Sequence, residues 1–270
     1  METMPVAGLT LFFDPEERDA AELIGRACER SVQINHEYWG LDTPEDLRVY
    51  VMTSWRHMVF HSAPGSWRIL LAIALPLWAP RARRMWPYVG GWEQRYGNRA
   101  TVGIKPPRLM EVADRSIGER IFVQLEPVEE RVRSVTCHEL NHAFVAQLRP
   151  PSWLKEGLAM ISVDQFFGKT TVQPETLAAL ERPSRQAGAQ SYRQVRVTDP
   201  DAAVYQYVRG YWVTRYLDET RPDLLRSLLV RRQSHQELEG MVAAAFDMGH
   251  EEFWSSIDGA VVSHFGHEDA

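Results

Sequence analysis

The sequence predicts an α+β protein in which a small mixed α/β N-terminal part leads into a mostly helical part. Three observations predict it. The chain has 270 residues, of which 44% are hydrophobic and 24% charged, which gives room for a sizeable core and excludes collagen-like, coiled-coil and wholly disordered chains. Short apolar runs, one of them alternating with polar residues, fall in the first 110 residues. After Pro127, helix start and stop signals dominate. The expected division is therefore residues 1–110 for the α/β part and 111–270 for the helical part.

Leu9 to Phe13 (LTLFF) reads as an apolar strand, and Asp14-Pro15-Glu16-Glu17 supplies an N-cap, a first-turn proline and an acid three residues after the cap. The following helix buries Ala20, Leu23, Ile24, Ala27, Cys28 and Val32 at three-and-four spacing, and Gly40 stops it. Leu47 to Met52 alternates as a half-buried strand, so the opening reads as a βαβ unit. Two further strands are expected at Ala100 to Ile104 and Ile121 to Leu125. Helices are expected at Pro127 to Leu148, Trp153 to Phe167, Ala203 to Leu217, Pro222 to Arg231, Ser234 to Phe246 and His250 to His264, with Ser234 and Glu237 as a capping box. Gly168 to Pro200 reads as loop-rich.

Ile69 to Ala79 (ILLAIALPLWA) is the most apolar run, and Arg81, Arg83 and Arg84 follow it. Interrupted by Pro76, it is too short for a hydrocarbon layer that needs about twenty residues. Its length favours a buried helix or loop insertion. The other reading is a weak membrane or partner contact through residues 69–84, with Trp67, Trp78 and Trp86 at the interface and the arginines on head groups. The net charge of −6, with Lys and Arg spread along the chain, argues against nucleic acid as a partner. Two cysteines and no secretory signal at the N-terminus give a cytoplasmic expectation.

Thr136-Cys137-His138-Glu139-Leu140-Asn141-His142 carries the chemistry. Four residues apart on a helix, His138 and His142 share one face and can offer two imidazole nitrogens to one ion. Glu139 lies about one hundred degrees round the helix, within reach of a metal-bound water. A catalytic zinc needs a third protein ligand and an open fourth position. The next turn offers only Val145 and Leu148, where a metzincin would have a glycine and a histidine. Ser152-Trp153-Leu154-Lys155-Glu156-Gly157-Leu158-Ala159 offers a glutamate instead. Arg149-Pro150-Pro151 ends the first helix, and antiparallel packing of the second would bring Glu156 opposite the histidines, with Gly157 and Ala159 small enough for close approach.

HELNH, followed fourteen residues after its last histidine by the glutamate of SWLKEGLAM, resembles the gluzincin zinc metallopeptidases, in particular bacterial peptidase MA-like domains. The resemblance covers about Trp86 to His264. It implies a zincin-like catalytic part that hydrolyses peptide bonds of a peptide or protein substrate. One Zn2+ would be held by His138, His142 and Glu156, with Glu139 as general base activating a zinc-bound water. It also selects Tyr207, from Tyr205-Gln206-Tyr207-Val208-Arg209-Gly210-Tyr211, as donor to the oxyanion, and by analogy places Ala100 to Ile104 as an edge for an extended peptide. One departure is Met160, at the position one turn after Glu156 that is often acidic in the family; Asp164, two turns along, reads as a surface or capping residue. From a different class, the alternative is a zinc-retaining binding or regulatory module without turnover. His57 and His61 are also four apart but lack an accompanying glutamate motif and read as surface or packing residues, and Cys137 reads as a buried thiol.

Overall fold

In a computed structural model, residues 1–110, 117–181 and 200–266 are described. The elements run, in chain order, β1 (Glu2–Val6), β2 (Leu9–Phe13), α1 (Arg18–Glu37), β3 (Asp46–Val51), α2 (Gly65–Ile73), α3 (Leu75–Met85), β4 (Gly91–Tyr96), β5 (Arg99–Ile104), α4 (Pro107–Met110), α5 (Gly118–Ile121), α6 (Val128–Val145), α7 (Ser152–Phe167), α8 (Ala178–Glu181), α9 (Pro200–Thr220), α10 (Pro222–Leu228), α11 (His235–Ala245) and α12 (His250–Phe265). A mixed sheet in the N-terminal part followed by helices is the α+β class expected. The expected boundary at residue 110 followed element type. Packing groups the described residues as 1–110 with 124–146, and 117–123 with 147–181 and 200–266.

The first unit is built on a five-stranded sheet of order β1-β2-β3-β5-β4. β2, β3 and β5 run parallel, and β1 and β4 pair antiparallel at the two edges. β2, α1 and β3 form the βαβ unit read from the sequence. Leu11, Ile24, Cys28 and Val49 are fully buried in its core, as is Val102 on the adjoining β5. Gly40, at a φ of 67° open to glycine, closes the end of α1 with its N–H on the His36 carbonyl at 3.1 Å. β1 was not foreseen. Ala7 and Gly8, both with positive φ, turn it tightly into β2. α6 packs on α1 and on β4 and β5, and Asn141 donates to Asn35 Oδ1 at 2.9 Å in the buried contact between α1 and α6.

Two expectations fail in this unit. Ala100 to Ile104 is a strand, yet it lies inside the sheet with β3 on one side and β4 on the other, so it offers no free edge to a peptide. The hairpin through Gly97 folds β4 back over that edge, and β4 becomes the edge strand. Nor is the run at 69–79 a buried helix. It forms α2 and the start of α3, and no residue of α2 is buried.

In the second unit, α7 and α9 form the most extensive helix pair. Gly157 makes this possible: a Cβ there would lie 2.0 Å from Thr214 Oγ1 and 2.4 Å from the Gly210 carbonyl oxygen. The small residue expected to let α7 approach α6 thus makes its closest contacts with α9. Arg209 on α9 is buried, and it donates at 2.8 Å both to Asp258 Oδ1 and to the Trp254 carbonyl on α12, so that its charge is paired and its donors are engaged. Ser234 accepts from the Glu237 N–H at 3.1 Å, as the capping box requires. The strand expected at Ile121 to Leu125 is not formed; Ile121 ends α5, and only Phe122 bridges Val172, with hydrogen bonds from Val123 to Thr171 and from Gln173 to Ile121. Of the segment read as loop-rich, residues 182–199 lie outside the described residues.

Candidate metal centre

α6 starts after Pro127, with Glu129 and Glu130 in its first turn, where carboxylates complement the helix dipole. Val132, Thr136, Cys137, Leu140, Asn141 and Phe144 are buried around it. That burial fixes the rotation of the helix and so the direction of its remaining residues. His138 and His142, one turn apart, have ring centroids 4.5 Å from each other with planes at 76°. His142 is buried and His138 half-buried. Glu139, half-buried, packs against β4. A Cβ on Gly91 would lie 2.4 Å from Glu139 Cγ and 2.6 Å from Val135 Cγ1, so the strand reaches the glutamate stem only because residue 91 has no side chain.

α7 starts after Pro151 and buries most of its length, Glu156 included. One ligand atom from each of His138, His142 and Glu156 lies within 4.8 Å of the other two, and this group could hold a metal ion. Ligands at about 2.1 Å from a tetrahedral ion stand about 3.4 Å apart. Two imidazoles and a carboxylate are a donor set suited to a divalent metal. The residues fit the group expected from the sequence.

Around these three residues the second-sphere expectations divide. Met160 is fully buried. The Asp164 carboxylate is a structural acceptor: the Thr171 N–H, the Thr171 hydroxyl and the Tyr211 hydroxyl all donate to it at 2.7 Å, tying the chain after α7 to the helix and to α9. Burial raises its pKa above the usual carboxylate value, with those hydrogen bonds acting in the opposite sense. Carboxylates accept from two of the three tyrosines. The Tyr211 hydroxyl also accepts from Arg215 at 2.8 Å, and burial drives its pKa up. Tyr205 donates to Asp258 at 3.1 Å, with burial pushing its pKa up to about 12. Tyr207 is half-buried on the same helix.

The candidates set aside in the sequence behave as structural groups. Cys137 is a buried thiol, its pKa pushed up to about 12 by desolvation. His57 and His61 have rings 4.4 Å apart, and burial lowers the pKa of each. They are not part of the group that gathers around His138. His235 contacts the Arg149 carbonyl and His264 contacts Glu219, while His267 lies outside the described residues. No family model matches the chain, and no curated protein matches it.

Gly91 was missed in the sequence. The pair Gly90-Gly91 directly before Trp92-Glu93-Gln94-Arg95-Tyr96 was the available signal, because glycine in or beside a strand marks close approach of another element. Gly91→Ala is expected to push the Glu139 side chain off its position and to lower any activity that depends on it by about tenfold or more, since displacements near 1 Å at a reacting group can cost 10²-fold. Metal content, measured on the purified variant, should be unchanged. Full activity would show that β4 does not position Glu139.

Proposed function

We propose that the protein is a zinc-dependent metallopeptidase in which His138, His142 and Glu156 hold the ion and Glu139 is the general base. The observation that carries this reading is the gathering of those three ligand atoms within 4.8 Å, with Glu139 next to the first histidine on the same helix. A bound zinc would supply Lewis acidity, lowering the pKa of water toward 7 and polarising the scissile carbonyl. The remaining tasks belong to the chain. Glu139 accepts the proton of the attacking water and returns it to the leaving amine, which asks for a carboxylate held in place. β4 provides that hold through Gly91.

Tyr207 is proposed as donor to the developing oxyanion. Support comes from its position on α9, the one that the resemblance to peptidase MA-like domains selects. Tyr207→Phe is expected to lower kcat about 10²-fold with little change in KM, as loss of one oxyanion donor does. An unchanged kcat would remove it from the mechanism.

The deciding experiment is metal analysis of the purified chain together with a casein and peptide-library assay of wild type and Glu139→Gln. Zinc together with Glu139-dependent cleavage is the expected result. Zinc without it would turn the reading toward a binding module.

A further inference from the structure

α2 and α3 present a surface that the catalytic reading does not use. Ile69 is 66% exposed, Leu70 59%, Ile73 74% and Leu77 86%. Ile69 and Ile73 are one turn apart on α2, and Leu77 follows four residues on, across the Ala74 break. Trp67 and Tyr88 are also exposed. Four large aliphatic side chains so open to water in one twenty-residue segment are unusual for a folded surface, where apolar patches of this kind mark interaction sites.

The charge around them selects the partner. From Leu47 to Trp92 the sequence has no Asp, Glu or Lys, yet it contains Arg48, Arg56, Arg68, Arg81, Arg83 and Arg84, in a chain whose net charge is −6. Arg56, Arg83 and Arg84 are exposed, and Arg56 and Arg83 lie over the Trp55 ring at 5.4 and 6.0 Å. A second copy of this surface would set arginine against arginine. An anionic bilayer offers both complements, hydrocarbon for the aliphatic side chains and negative head groups for the guanidinium groups, with tryptophan and tyrosine suited to the boundary. Neither helix is long enough to span, and no helix among the described residues is long and apolar enough to cross a membrane.

The geometry points to α2 and α3 as a surface that docks on anionic lipid bilayers, with Ile69, Leu70, Ile73 and Leu77 entering the boundary and the arginines on the head groups. This does not depend on the peptidase reading. The test is co-sedimentation of the full chain with phosphatidylcholine vesicles, with and without phosphatidylglycerol. Binding is expected only with the anionic lipid, and it should weaken as salt is raised, because the arginine contribution is screened. Ile73→Asp with Leu77→Asp, both at exposed positions, should weaken it at least about tenfold, as should Arg83→Glu with Arg84→Glu. Far-UV circular dichroism checks that each variant is folded, and the salt response of the wild type needs no variant. Failure of the wild type to bind anionic vesicles overturns the proposal. So does binding that survives both substitution pairs, or a dimer, dissolved by Ile73→Asp with Leu77→Asp, formed by a protein that does not bind vesicles.

Discussion

Glu139→Gln is expected to reduce peptide hydrolysis by about 10³-fold or more, within the range over which a positioned general base acts, while leaving metal content and thermal stability close to wild type. The substitution is nearly isosteric. It keeps the stem that packs on the open face of Gly91, so the contact between α6 and β4 survives. What it removes is the ability to accept a proton. Neither His138 nor His142 changes, and the three-atom group that could hold the ion does not include Glu139. The measurement is kcat/KM on a cleaved peptide, with zinc determined on the same preparation. A fall in hydrolysis with full zinc is the expected pattern. Equal loss of both would mean that Glu139 supports the ligands rather than the chemistry, and unchanged hydrolysis would remove it as the base.

The parts of the fold legible in the sequence are those governed by near neighbours along the chain. The βαβ opening followed from the three-and-four spacing of α1 and the alternation of β3, whereas the expected Asp14 side-chain cap does not form and α1 begins only at Arg18, after a short 3-10 turn at Pro15–Glu17. α6 and α7 followed from Pro127, the prolines at 150 and 151 and their apolar faces. The histidine pair is of the same kind, because spacing on one helix alone puts the rings on one face. What failed depends on partners distant in sequence. Nothing local to Ala100 to Ile104 says that β4 covers its edge, and β4 itself, with Glu93, Gln94 and Arg95, has too little apolar content to stand out. Ile121 to Leu125 has the composition of a strand, but it finds only a bridge to Val172. The run at 69–79 shows a limit of length as a guide: too short to span a hydrocarbon layer, it reads first as a buried helix or loop insertion, yet α2 leaves Ile69, Leu70 and Ile73 exposed. The commitment of Tyr211 to Asp164 joins residues 47 apart and has no signature in either segment.

Glu156→Gln is expected to abolish stoichiometric zinc binding and, with it, hydrolysis. Two histidines on α6 do not hold a catalytic zinc alone; a third protein ligand is required, and a neutral amide oxygen replaces the carboxylate charge poorly. The same change separates metal loss from misfolding, because Glu156 sits in a well-packed α7 whose neighbours Trp153, Leu154, Leu158 and Ala159 stay fully buried, and Gln occupies nearly the same volume. The stability readout follows from linkage. Zinc at a hundred times its Kd stabilises the folded form by about 2.7 kcal/mol, which in a chain of this size raises Tm by about 5–10 °C. Wild type should lose that increment on chelation and recover it when zinc is returned. Glu156→Gln should sit near the chelated wild-type Tm and ignore added zinc, because the ion then has no full ligand set to favour the native state over the unfolded one. A variant that still gains several degrees with zinc, at one ion per chain, would place the third ligand elsewhere and detach Glu156 from the site.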